Sequence, residues 1–145
     1  MNNTIVRRLQ PDDAGEIGRI SSSITGAQNR TDFQCVIGKQ TQSEDDASFV
    51  AERDNKLVGY CISYVLSGSF GIEKSAWVAM IGVDPNFMGQ GIGEMLANEA
   101  LNHYKARGIT KIYTSVRWDS TDLLSFFKTM GFQRSDFINL HKSLE

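Results

Sequence analysis

The stretch that decides the fold reads Ala76-Trp77-Val78-Ala79-Met80-Ile81-Gly82-Val83, then Asp84-Pro85-Asn86-Phe87, then Met88-Gly89-Gln90-Gly91-Ile92-Gly93. The first part is an apolar run of strand length, the second a stop signal, and the third sets glycines at alternate positions where a strand hands over to a helix. A chain without side chains there lets several backbone N–H groups converge on one anion, and the positive end of the next helix adds to the attraction. A ligand carrying a diphosphate is the expected occupant. Downstream, Ile92, Met95, Leu96, Ala100 and Tyr104 recur at helical spacing, and Gly108 follows as a left-handed stop.

Upstream, Thr4 to Leu9 predicts a first strand, and Pro11-Asp12-Asp13 opens a helix with Ile17, Ile20 and Ile24 on one face. Residues 30 to 43 place Phe33, Val36, Ile37 and Gln40 on a second helical face. Ser48 to Arg53 and Leu57 to Leu66 predict an antiparallel hairpin turned at Asp54-Asn55-Lys56, with a loop from Ser67 to Lys74 after it. Beyond Gly108, Lys111 to Arg117 alternates like a strand. Asp119 or Ser120 then caps a helix bearing Leu123, Leu124, Phe127 and Met130, which Gly131 stops. A last strand, Phe137 to Lys142, is expected to pair with Lys111 to Arg117.

At 145 residues and 41% hydrophobic content the chain is the size of one domain. A net charge of −2, with cations spread along the chain, disfavours nucleic acid and anionic membranes. The polar start Met1-Asn2-Asn3-Thr4 and the lack of a long apolar run suggest neither signal peptide nor anchor, so a cytoplasmic location is expected. Cys35 and Cys61 have no metal-site or disulfide spacing; no metal is expected, and both read as reduced, packed thiols.

Two nucleotide-binding readings fit poorly. A dinucleotide unit sets its glycines directly after the first strand of a parallel pair, whereas these follow an antiparallel meander. A Walker-type loop needs Gly-Lys followed by Ser or Thr, and here Gly93 precedes Glu94. By contrast Ile81-Gly82-Val83-Asp84-Pro85, Gly89-Gln90-Gly91-Ile92-Gly93 and the later Met130-Gly131-Phe132 together resemble the GCN5-related N-acetyltransferase family. The order of elements agrees over nearly the whole chain.

The resemblance implies one acetyltransferase domain over residues 1–145, of α/β class, with a mixed, mostly antiparallel sheet flanked by helices and a splay between its two central strands. It implies acetyl-CoA, or another acyl-CoA, with the diphosphate at Gly89, Gln90, Gly91, Ile92, Gly93 and Glu94. The pantetheine arm would lie in the splay, paired to the backbone of Ile81 and Val83 as an added strand would be. Met88 falls where the family signature carries a polar or cationic residue, so backbone amides should carry more of the diphosphate. Ser120 replaces an asparagine often found near the pantetheine. Phe127 stands at the usual tyrosine acid; its place on the Leu123, Leu124, Phe127 and Met130 face reads as that of an ordinary core residue, with packing on the thioester end as the alternative.

Acyl transfer to an amine needs a neutral nucleophile, a stabilised oxyanion and a proton for the thiolate. A lysine amine, with pKa about 10.4, costs about 4 kcal/mol to deprotonate at neutral pH, while an α-amine near 8 costs about 1 kcal/mol. A lysine acceptor therefore wants a base. The strand position where some relatives carry a glutamate holds Trp77, and Glu73, Asp119 and His141 are the candidates that remain. The expected activity is acetyl transfer from acetyl-CoA to a primary amine, on a protein lysine, an N-terminus or a small molecule. Met88, Trp77 and Phe127 motivate the alternative of an acyl-CoA binding or sensing module with weakened catalysis. A homodimer is expected, to cover the last strand's edge.

Overall fold

A computed structural model describes residues 3–25, 33–40, 46–68 and 74–144. Its sheet has five strands in chain order: β1 (Thr4–Arg8), β2 (Phe49–Arg53), β3 (Lys56–Leu66), β4 (Ser75–Val83) and β5 (Ile112–Thr114). The first four pair antiparallel and β5 joins β4 in parallel, giving the mixed sheet expected. Asp54 and Asn55 take positive φ of 53° and 66°, the conformation a two-residue hairpin turn demands and these side chains tolerate.

Helices cover both faces. On one lie α1 (Ala14–Thr25), entered through a 3-10 turn at Pro11–Asp13, and α2 (Phe33–Gln40). Ile17, Ile20 and Ile37 are fully buried there against Val50, Tyr60 and Ile62, each isoleucine stabilising the fold by about 1.5–3 kcal/mol. Arg7 clamps this layer by donating to both Asp13 carboxylate oxygens at 2.8 and 2.9 Å and to Glu52 at 2.9 Å. The other face carries α3 (Ile92–Ala106), whose Ile92, Leu96, Ala100 and Tyr104 pack on Phe49, Val58, Cys61 and Ala76. Met95, expected in that stripe, is 38% exposed, and Ala97 is buried in its stead. The fourth helix, α4 (Thr121–Thr129), buries Phe127 but leaves Leu123 and Leu124 about two-fifths exposed.

The strand that decides the fold contains a bulge. Ile62 is matched with Met80 and Ser63 with Val78, so Ala79 has no partner on β3. Val78 therefore packs on the α3 side and Met80 on the α1 side, where an unbroken pleat would point both the same way. At the same place β5 departs. Its register runs from Ala76↔Ile112 to Val78↔Thr114 and stops, with the Thr114 hydroxyl donating to the Val78 carbonyl at 3.0 Å. Beyond this point the two strands part, which is the expected splay, and β5 is shorter than the Lys111 to Arg117 anticipated.

The last strand is a correction. Residues 137–142 form no strand. Ser135 Oγ takes the Phe137 amide at 3.1 Å and donates to its carbonyl, a local arrangement that competes with a ladder. With β5 only three residues long there is also little edge to extend. The tail instead touches β5 through side chains: Asn139 Nδ2 donates to Ser115 Oγ at 2.7 Å, and Phe137 sets its ring edge against Tyr113. Cys61 is buried as expected, but Cys35 is exposed rather than packed.

Candidate active site

The glycine loop is shaped by its neighbours on both sides. Asp84, 2% exposed, ends β4: its carboxylate accepts the Asn86 amide at 3.0 Å and an Arg19 guanidinium N–H from α1 at 3.3 Å. Gly89 and Gly91 then take φ of 77° and 80°, and a side chain at either would point into open space. Gly91 is the N-cap of α3 without a side-chain cap, so the first amides of that helix lack intrahelical acceptors. Gly93 does a different job. A Cβ there would come within 3.2 Å of the Phe126 ring, so its absence lets α4 approach the start of α3.

A cavity of about 530 Å³ opens beside this loop, within the range of small-molecule sites. Its wall combines Val83, Met88, Gly89, Gly91, Ile92, Gly93 and Glu94 with Asp122, Leu123 and Phe126 of α4. A second cavity of about 250 Å³ lies in the fork between β4 and β5, lined by Ser21, Tyr60, Val78, Met80, Thr114, Ser115 and Phe127 among others. Ile24, Ile81 and Leu123 line both, so the two meet.

The structure thus brings Ile81, Val83, Met88, Gly89, Gly91, Ile92, Gly93, Glu94 and Phe127 to two adjoining cavities. Gln90 lines neither: its side-chain oxygen accepts from Arg53 Nη1, and the Arg53 guanidinium lies over Phe87. Ser120 begins α4 without capping it through its side chain and also lines neither cavity. Asp119 is turned to solvent in a two-point pair with Arg117 at 3.0 Å, which holds its carboxyl below the usual range and makes it a poor base. Glu73 lies outside the described residues. His141 is exposed. Trp77 stacks on Tyr113 at 4.7 Å, away from both cavities. Burial pushes the Cys61 thiol up to about 12, so it is no nucleophile at neutral pH.

Among the described residues the smaller cavity has neither carboxylate nor imidazole in its wall. Sequence reasoning missed Ser21, Tyr60, Asp122, Leu123 and Phe126 as wall residues and assigned Ile24 to the core. One signal was present: a glycine inside a strand marks close approach by another group. A side chain at Gly82 would stand 2.9 Å from Ile24 Cδ1 and from two atoms of the Tyr60 ring.

Comparison with known proteins places the chain. The family model described as the acetyltransferase (GNAT) family matches residues 17–132. A mycothiol acetyltransferase of Amycolatopsis mediterranei is 30% identical over 96 residues, which span 64% of this chain and 32% of that protein. An uncharacterized N-acetyltransferase of Methanocaldococcus jannaschii is 32% identical over 97 residues, 66% of this chain and 42% of that one. The matched region is thus less than half of either relative. In fold, the chain is similar to an aminoglycoside acetyltransferase from an uncultured soil metagenomic sample, in complex with trehalose (TM-score 0.80, 22% identity, 98% of this chain and 97% of that). It is equally similar to an aminoglycoside N-acetyltransferase in complex with CoA (TM-score 0.82, 12% identity, 99% and 97%). With the matched model spanning most of its length, and the forked sheet and glycine loop in place, the chain belongs to the acetyltransferase (GNAT) family.

Proposed function

We propose that the protein transfers an acetyl group from acetyl-CoA to a primary amine by direct attack on the thioester. The observation that carries this reading is the junction: the cavity beside the glycine loop, Gly89 to Glu94, opens into a fork where β4 has no β5 partner beyond Val78, and the fork continues into a second cavity. The open space around Gly89 and Gly91 is what a diphosphate needs, and a Cβ would begin to fill it. Ile81 and Val83 are matched to β3 but lie beyond the last β5 pair, so the other edge of β4 is open there to the pantetheine arm, and the thioester supplies the activated acyl group. Phe127 then closes the fork from α4 as an apolar wall.

The acceptor amine enters through the smaller cavity. With no described base in that wall, an amine of α-amino basicity, about 1 kcal/mol from its neutral form, suits the site better than a lysine. Relatives of this fold named as aminoglycoside acetyltransferases, one of them in complex with sisomicin, support a small-molecule amine. A homodimer is the assembly we favour, since Trp118, Leu140 and Leu144 are each almost nine-tenths exposed or more. Monomeric light scattering at micromolar concentration would remove it.

The test of the function is calorimetry with CoA and acetyl-CoA, followed by thiol release against a panel of α-amino, aminosugar and lysyl amines. Micromolar cofactor binding with turnover on at least one amine is expected. Binding without turnover on any amine would favour an acyl-CoA sensor, and no binding would refute the site.

A further inference from the structure

The fork lacks a proton donor at the family's usual place, since Phe127 carries none. Four hydroxyls line the smaller cavity, those of Ser21, Tyr60, Thr114 and Ser115. The Thr114 hydroxyl donates to the Val78 carbonyl, and the Ser115 oxygen receives Asn139 Nδ2. Tyr60 is the most acidic group of the four, being a phenol. It projects from β3 on the α1 side, and its register partner across the ladder is Gly82. Its ring atoms Cε1 and Cζ would lie 2.9 Å from a Cβ at that glycine, so the hydroxyl end of the ring crosses β4 where the strand carries no side chain. Gly82 lines the larger cavity and Tyr60 the smaller. The phenol therefore stands on the boundary between them.

We propose that the Tyr60 hydroxyl, hydrogen-bonded to Ser21, is the proton donor to the sulfur that leaves when the amine attacks. This rests on the acetyl-transfer reading above. The C–N bond forms as the amine adds to the thioester carbonyl, and the C–S bond breaks as the tetrahedral carbon collapses. Nitrogen sheds one proton to cavity water, sulfur takes one from Tyr60, and the tyrosinate regains its proton from that water through the Ser21 hydroxyl. In net balance one proton passes from nitrogen to sulfur. Tyr60 is 4% exposed and set against the Phe33 ring, so the donor is held in place. Burial pushes the phenol up, with Ser21 pulling partly back, so it carries its proton at neutral pH.

Tyr60→Phe keeps the ring and its packing and removes only the hydroxyl. The binding arm compares CoA with desulfo-CoA, which lacks the sulfur. Wild type is expected to prefer CoA by about threefold to tenfold, the worth of one hydrogen bond, and Tyr60→Phe to lose that preference while binding desulfo-CoA normally. In the turnover arm, kcat with the best amine of the panel falls at least about 10-fold with KM for acetyl-CoA unchanged. Adding Phe127→Tyr to Tyr60→Phe restores part of the rate, because it returns a phenol to the same cavity. Ser21→Ala gives a smaller loss in kcat. A preference for CoA over desulfo-CoA that survives in Tyr60→Phe, or no preference in wild type, overturns the assignment; so does a double variant as slow as Tyr60→Phe alone. Failure of wild type to bind either compound would instead refute the cofactor site itself.

Discussion

The two cavities that meet at Ile24, Ile81 and Leu123 are built by different rules. The larger is mostly one contiguous stretch, residues 81–94, with Gly82, Gly89, Gly91 and Gly93 in its wall. The smaller is assembled from α1, β3, β4, the end of β5 and α4, and what it offers is side chains. If the larger cavity takes the cofactor as proposed, a cofactor site can be written locally in the chain. A site for a particular acceptor is composed by the fold.

The most severe way to break this contrast is Gly91→Glu. The position takes φ of 80° and faces open space, so the substitution adds strain and sets a negative charge beside the proposed anion cradle. Juxtaposed like charges cost several kcal/mol, so CoA affinity is expected to fall at least about 100-fold by calorimetry. Unchanged affinity would move the cofactor elsewhere.

Asp84→Ala sharpens it more gently, because Asp84 braces the loop on one side and, through Arg19, helix α1 on the other. It strips a buried acceptor from the Asn86 amide and from a guanidinium that is itself partly in water. Urea denaturation should show a loss of about 2 kcal/mol. An unmoved midpoint would mean that the brace carries no stability.

The smallest effect lies away from both cavities, in the Arg7–Asp13 clamp. Burial pushes the Asp13 carboxyl up, but the Arg7 hydrogen bonds and the Gln10 amide outweigh it and hold the group below the ordinary carboxylate range. A folded-state value depressed in this way stabilises above the unfolded value, about 3.9, and is lost as pH falls through the folded one. Denaturant midpoints between neutral pH and about pH 2 should therefore drop on the acid side, by about 1 kcal/mol at most given the solvent around Arg7. Asp13→Asn should flatten that slope. A variant as acid-sensitive as wild type would assign it to other carboxylates.

This contrast also explains what could be read in advance. The loop, its helix and the hairpin turn were legible because each is decided within a few residues: glycine at Gly91 and Gly108, Asp54-Asn55 in the turn, Ile92 and Leu96 at helical spacing. Tyr60 and Ser21 were not, since a strand and a helix far apart in the chain must pack before the two meet. Ile24 has the right spacing for α1's core face, yet it lies where the helix overhangs the fork. The tail misled for the opposite reason: Phe137 to Lys142 has strand composition, but the local bonds of Ser135 and the brevity of β5 leave it no ladder. Asp119 fails as a base because Arg117, two residues before it, holds it in solvent.

The unmatched Ala79 is a spacer, which lets Val78 and Met80 serve opposite faces of the sheet although they stand two residues apart. Deleting it would set Met80 beside Val78 in a regular pleat and leave the faces from Met80 to Val83 as they are, whereas inserting one more residue there would shift that stretch by one step, turning Met80 toward α3 and Ile81 toward α1.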